Sequence, residues 1–470
     1  SVSYLTRAGF EARRLFLSER ALEFLDQALG ALDRAGLNGD RRQEIARARC
    51  ETLLDSGRPE AARAAALAER ERAVADGNDD ARTLATIWLG EAALSQGDHA
   101  AADAWLSEGL AMATAGLNWA WAARAERKLG ELLVLRGDYE AAFERLEAAR
   151  LACQRLGDET GVAYVRLDAG VVLVRQGRYD QARECFAAAH QQLTAAGERP
   201  GQVRALNWLG SVEFQRGESA AALDIFMKAR ALAREIGHLQ ESARLQANIA
   251  NVHLVRGELD VADRSYREAL HRFLEIGDLR GVAQSTMALG NVATMRGEFE
   301  EAAGHYRQVL TAREQAGDRW GAANVLDNLG VVEYYLGRWS EALDHARRSL
   351  AERAQLGDRP GQAESSLNVG HLLGILGDRD GAARLYAEAE ALARELGDDR
   401  RLARALLSRA LDFLWRGEHE PARALVAELA GLELDEPTLI ATRRLYEGLA
   451  AGPAARDQPE AILRQAALEA

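Results

Sequence analysis

Residues 289–310 read LGNVATMRGEFEEAAGHYRQVL. Two glycines seven residues apart, Gly290 and Gly297, interrupt a stretch otherwise rich in helix formers, and Asn291, a mediocre helix former, stands beside the first. Stepping by forty residues from Gly297 lands on Gly337, Gly377 and Gly417 in one direction, and on Gly257, Gly217, Gly177, Gly137, Gly97 and Gly57 in the other. A recurrence of that length marks a repeat array, in which each unit needs its neighbours to bury its apolar face. The 470 residues therefore read as one solenoid in place of several globular domains.

Aligned on the turn glycine, the chain shows further columns. Seven residues earlier stand Gly90, Gly130, Gly170, Gly210, Gly290, Gly330 and Gly370, with Ala250 and Ala410 as substitutes. Five residues after the turn, alanine recurs at every fortieth position from Ala62 to Ala422. A third glycine column runs through Gly157, Gly197, Gly237, Gly277, Gly317, Gly357 and Gly397. A glycine inside a helix costs about 0.5–1 kcal/mol relative to alanine, so the Gly290 column implies an element too close for a Cβ, with the alanine column as the other side of that contact. The turn glycines end helices in the left-handed region, and the acidic residues that follow them favour the next helix's positive end. Asp158, Asp278, Asp318, Asp358 and Asp398 are placed to cap helices, and Pro200 and Pro360 sit in a first turn where a missing N–H is harmless. The unit is two helices of about 16–18 residues, each roughly 25 Å long.

Composition narrows the function. Net charge is −13 and nearly every basic residue is arginine, Lys128 and Lys228 being the only lysines. That balance argues against a phosphate-backbone or anionic-membrane surface, so neither nucleic acid nor membrane is an expected partner. No run of eighteen apolar residues occurs, and the opening SVSYLTRAGFEARRLF lacks the apolar core of a signal peptide, which predicts a soluble, cytoplasmic protein. Cys50, Cys153 and Cys185 lack paired spacing and read as buried thiols. No Gly-Lys-Ser/Thr phosphate loop, HExxH or G-x-S-x-G is present, and the nine histidines are scattered; no catalytic residue, metal site or cofactor is expected.

The order Leu-Gly, seven residues to Gly-Asp/Glu, alanine five further on, then an aromatic at Phe186, Phe226, Tyr266, Tyr306 and Tyr386, resembles the tetratricopeptide repeat. The unit here has 40 residues rather than 34, with Leu/Ile-Gly-Asp where that family usually has proline. This longer form is similar to repeats of kinesin light chains, Pins/LGN mitotic scaffolds and the sensor regions of bacterial STAND and LuxR-type regulators such as the maltose-regulon activator. The opening YLTRAGFEARRLFLSERALEFLDQALGAL is similar to the junction after the ATPase module in such regulators. The resemblance implies an all-α, right-handed superhelical solenoid of about eleven hairpins plus a C-terminal capping pair. Residues 1–40 are expected to form the N-terminal capping pair, with Leu17 replacing the turn glycine; 41–431 the repeats; and 432–470 degenerate capping helices.

Counted from the packing glycine of helix A, positions −6, −3/−2, +1 and +4/+5 form a stripe, and in the family this stripe lines the concave surface. Its members here are unusually polar: Arg204, Arg244, Gln284 and Asn324 at −6; Asn207 at −3; Trp208, Asn248 and Asn328 at −2; Asn251 and Asn291 at +1; Tyr334 and Tyr335 beyond. Amides offer donors and an acceptor to an extended peptide of any sequence, and Arg or Tyr adds charge and stacking. These twelve residues are the candidate partner-binding groove. The same amides would also serve to hold successive repeats in register. Trp88, Trp208 and Trp415 are candidate anchors, and Trp105, Trp119, Trp121 and Trp339 are expected in the core. The expected partner is a protein, a peptide or a small effector; self-association through terminal repeats stays open. Two functional readings follow: a ligand sensor attached to a larger STAND-type ATPase or transcriptional regulator, and a stand-alone scaffold bridging two proteins.

Overall fold

The computed structural model describes residues 2–432 except 38 and 316, together with 442, 443 and 446. The described residues form 22 α-helices and no strand. The odd-numbered ones are α1 (Val2–Arg14), α3 (Asp40–Asp55), α5 (Asp79–Gln96), α7 (Trp119–Arg136), α9 (Glu159–Arg175), α11 (Arg199–Gln215), α13 (Leu239–Val255), α15 (Leu279–Arg296), α17 (Arg319–Tyr335), α19 (Arg359–Ile375) and α21 (Asp399–Trp415). Between them run α2 (Ser18–Arg34), α4 (Pro59–Ala75), α6 (His99–Ala115), α8 (Tyr139–Arg155), α10 (Tyr179–Ala195), α12 (Ser219–Glu235), α14 (Leu259–Ile276), α16 (Phe299–Gln315), α18 (Trp339–Leu356), α20 (Arg379–Leu396) and α22 (His419–Leu429). The eleven hairpins match the forty-residue count; the expected capping helices over 432–470 fall almost wholly outside the described residues. No helix among the described residues is long and apolar enough to cross a membrane.

The chain divides into two compact units, Ser1–Ser285 and Thr286–Ala470, and the division falls inside α15 rather than in a linker. Within the first unit each helix packs on the next, and α3 also touches α5, α5 touches α7, and so on to α13. The second unit repeats this with α17, α19 and α21. No two even-numbered helices pack on each other comparably among the described residues. In each unit the odd helices therefore form the tighter, inner layer and the even helices the outer one.

Local chemistry explains the hairpins. Gly297 has φ 76°, a left-handed turn that costs glycine nothing. Gly290 is needed for a different reason: a Cβ there would lie 2.5 Å from Cε1 of Tyr306, a buried ring on α16. The residue over the packing glycine is thus the aromatic sixteen positions later, where the sequence reading had put the alanine column. Ala302 is fully buried in the same hairpin but is not what excludes the Cβ.

All five expected aspartate caps form, each carboxylate accepting a backbone N–H three residues on at 2.8–3.0 Å. Glu218 and Glu258, at the equivalent place after the turn glycine, make no side-chain cap, whereas Asp98 and Asp138 do. The extra methylene carries the glutamate carboxylate past the N–H that aspartate reaches. In α11 and α19 the prolines occupy the first turn as expected.

Three expectations need correction. The left-handed residue of the first hairpin is Phe16, φ 56°, not Leu17, whose N–H bonds back to Ala12. Phe16 is held by stacking on His238 at 3.7 Å between ring centroids, within the first unit. Burial, helped by Arg244, pushes that imidazole down to about 4, so it stacks uncharged near neutrality. Trp339, expected in the core, is 45% exposed at the start of α18. Cys50 and Cys153 are buried, but Cys185 only partly so.

Candidate functional site

The stripe residues lie on the odd helices, the layer whose members also touch across successive hairpins. In the first unit the position two residues before the packing glycine carries Trp88, Lys128, Asp168, Trp208 and, before Ala250, Asn248. Asp168 is the hub of an ionic cluster. Arg127 donates to it at 2.7 Å and Arg204 at 2.9 Å, and both guanidiniums lie over the Tyr164 ring, at 5.6 and 6.0 Å. Burial alone would raise the Asp168 carboxyl; Arg127 and then Arg204 outweigh it and hold it below its ordinary range. A cavity of about 250 Å³ opens beside this cluster, bordered by Lys128, Glu131, Arg204 and Trp208. Trp208 lies parallel to Phe186, 5.7 Å between centroids, and is only partly buried.

Next along the stripe, Asn248 donates from Nδ2 to Oδ1 of Asn207 at 2.8 Å, linking α13 to α11. Asn251 accepts the hydroxyl of Tyr266. Arg244 pairs with Glu241 at 2.7 Å, and Gln284 is exposed.

In the second unit Asn291 accepts the hydroxyl of Tyr306 at 2.8 Å. Tyr266 and Tyr306 are both buried, and these amides accept their hydroxyls, the Tyr306 hydroxyl also lying 3.2 Å from Oγ1 of Thr294. That answers why Asn291 stands beside Gly290: the glycine admits the ring and the asparagine receives its hydroxyl. Where the aromatic is Phe186 or Phe226, the corresponding position holds Val171 or Ser211. Each amide used as an acceptor retains its two N–H donors.

Asn324 is more fully committed, donating to the Trp320 carbonyl at 3.2 Å and accepting from Arg353 at 2.8 Å. Arg353 is buried and also binds Asp327 at 2.7 Å and Asp358 at 3.0 Å. Asn328 points its Nδ2 at the Met287 sulfur, 3.9 Å away. Tyr334 meets Tyr335 and His371 edge-on, and Tyr335, 58% exposed, stacks on Phe299 at 4.8 Å. A cavity of about 190 Å³ lies among Asp327, Tyr334, Tyr335, Asn368 and His371. Burial raises the Asp327 carboxyl above its ordinary range, with Arg353 opposing.

The twelve predicted residues therefore fall into two groups. Arg204, Trp208, Tyr334 and Tyr335 border cavities, and Arg244, Gln284 and Asn328 make no tie to another helix beyond the Met287 contact, while Asn207, Asn248, Asn251, Asn291 and Asn324 tie helices together. Sequence reasoning passed over Arg127, Lys128 and Asp168, although Lys128 and Asp168 occupy the same register as Trp208 and Asn248; reading that column through every repeat would have found them. Trp88, a predicted anchor, is 3% exposed and is a floor residue instead.

No curated protein matches this chain. Among solved structures, apo RapI is similar over 74% of this chain and 97% of its own, with TM-score 0.56 and 11% identity. A Rap protein complexed with competence and sporulation factor is similar over 76% and 98%, with TM-score 0.52 and 13% identity. A signal transduction ATPase with numerous domains (STAND) carrying a tetratricopeptide repeat sensor, from Pyrococcus horikoshii, is similar over 83% of this chain but 55% of its own, with TM-score 0.50 and 14% identity. At these identities the likeness is one of fold. The tetratricopeptide repeat is matched over residues 121–182, 159–235, 241–315 and 321–395, more than half of the chain. With eleven hairpins of the same register and that match, the chain belongs to the tetratricopeptide repeat family.

Proposed function

We propose that the inner stripe of the odd helices captures a protein or peptide segment, and that the chain is the ligand-sensing region of a larger STAND-type ATPase or transcriptional regulator. The observation that carries the reading is the composition of the stripe around its cavities. Asn368 supplies an amide and Trp208, Tyr334 and Tyr335 supply partly exposed rings at the cavities, with Asn207, Asn248 and Asn328 adding amides elsewhere on the stripe, where a purely structural wall would be aliphatic. Amides match the repeating donors and acceptors of an extended backbone, and the rings give area at low entropic cost. The fold shared with a Rap protein solved with competence and sporulation factor, and with a STAND protein bearing a sensor of this type, supports the signalling half of the proposal.

The test is selection of binders from a random peptide library on the full chain, followed by Asn248→Ala, Asn328→Ala and Tyr335→Ala together. Binding is expected to weaken at least about tenfold, as loss of a few central contacts does, with an unchanged helical melt. Asn251 and Asn291 are left intact because they accept the hydroxyls of the buried Tyr266 and Tyr306. A variant that binds as tightly as the parent refutes the groove. An in-frame P-loop ATPase module would be expected on the sensor reading, and a gene without one would favour the scaffold.

A further inference from the structure

A third cavity on the same stripe lies outside the 204–335 region, at the first-unit helices α3, α5 and α7. Its volume is about 410 Å³, within the roughly 300–1,000 Å³ of small-ligand sites. The floor is apolar, with Leu84, Trp88 and Trp121, and the rim carries the exposed carboxylates of Asp40, Glu44 and Asp80. Glu69 also borders it but is held bidentately by buried Arg42 at 2.8 and 2.9 Å. The lining's one cation, Arg47, is exposed, pairs with Glu51 and lies 5.0 Å over the Trp121 ring. An aromatic wall that already accepts a guanidinium is suited to another on the neighbouring ring.

An independent feature points to an occupant. Trp88 borders the cavity while buried, and its indole Nε1–H has no acceptor among the described residues. Folds ordinarily pair such donors. Asn118, by contrast, donates to Asp80 at 3.1 Å and so fixes that carboxylate on the rim.

We infer that this cavity is a binding site for an arginine side chain of a peptide. The planar guanidinium would be met by Glu44 and Asp80, its stem would lie on Trp88, and a peptide carbonyl would accept the indole N–H. Arginine fits better than lysine because its flat head both stacks and donates to paired carboxylates. The inference shares a peptide ligand, but not a location, with the groove proposed above, and does not depend on it.

The probe is acetyl-Gly-Arg-Gly-amide, titrated into the full chain at low salt by calorimetry, beside the same peptide with neutral citrulline for arginine. The arginine peptide is expected to bind at least about tenfold more tightly, the loss being that of the cation's electrostatic and aromatic contacts. Glu44→Gln with Asp80→Asn should remove that preference without moving the thermal melt. Trp88→Phe, which keeps a ring but deletes the N–H, should weaken binding about threefold, the scale of one neutral hydrogen bond. Equal binding of the two peptides, no binding of the arginine peptide, or full binding by the carboxamide variant would each overturn the inference. The Asn248, Asn328 and Tyr335 variant should bind this probe normally, so failure of the groove and failure of this site are told apart.

Discussion

Two cavities in the first unit sit on the same register of successive odd helices yet carry opposite chemistry. The one at α3, α5 and α7 has two tryptophans beneath an acidic rim, and the one at α7, α9 and α11 has Arg127, Lys128 and Arg204 gathered about Asp168. The register is set by features that do not change between them, namely the packing glycine, the residue over it and the capping aspartates. The chemistry is set by a column that is free to vary, as the run Trp88, Lys128, Asp168, Trp208, Asn248 illustrates. Frame and function are therefore separable in this chain, and substitutions in the two classes should behave differently.

The largest effect is expected within the column itself. Trp88→Ala empties a buried site and should cost about 3–5 kcal/mol in urea unfolding, whereas Trp208→Ala, at the same register but partly exposed, should cost about 1–2 kcal/mol. Equal losses would erase the distinction between floor and wall. Next comes the ionic hub: Asp168→Ala leaves Arg127 and Arg204 facing each other without their carboxylate and should destabilise by about 2 kcal/mol. Glu44→Ala on the acidic rim, exposed to solvent, should stay within about 0.5 kcal/mol.

The repeat frame can be probed by a glycine from each unit. At Gly170 a Cβ would lie 2.5 Å from the Phe186 ring, while at Gly330, where the residue sixteen on is Ala346, the nearest atom is 3.4 Å away. Gly170→Ala should therefore cost about 1–2 kcal/mol and Gly330→Ala should be neutral or stabilise by up to about 1 kcal/mol. The gentlest probe is thiol alkylation. Cys50 packs beneath the acidic cavity in a cluster with Trp88 and Leu84, and burial, reinforced by Glu69, pushes its thiol up to about 12. Cys153 is buried beneath the other cavity, and Cys185 is partly exposed. Iodoacetamide at pH 8 should label Cys185 first and Cys50 last; prompt labelling of Cys50 would mean that the acidic cavity's floor opens readily.

The frame was legible because its signals are local. A left-handed turn selects glycine and a cap selects aspartate, and both choices are visible without knowing what packs where. Phe16 escaped because a bulky residue seldom takes the left-handed region, and the ring that stacks on it here, His238, is distant in the sequence. Trp88 and Trp339 were read the wrong way round for a related reason: ring burial depends on neighbouring helices, not on the residue type. Of the site, the polar stripe was readable from spacing, but the union of Arg127, Asp168 and Arg204 spans three helices and depends on their separation. The pairing of asparagine with a tyrosine fifteen residues on, at Asn251–Tyr266 and Asn291–Tyr306, was present in the sequence and is legible once the hydrogen bonds are seen.

The most direct test is a crystal structure of the full chain with a peptide selected from a random library. The peptide main chain is expected to run along the odd helices, within hydrogen-bonding distance of Asn248 or Asn328 and against Trp208, Tyr334 or Tyr335. A peptide seated on the even-numbered helices, with those amides untouched, would contradict the account.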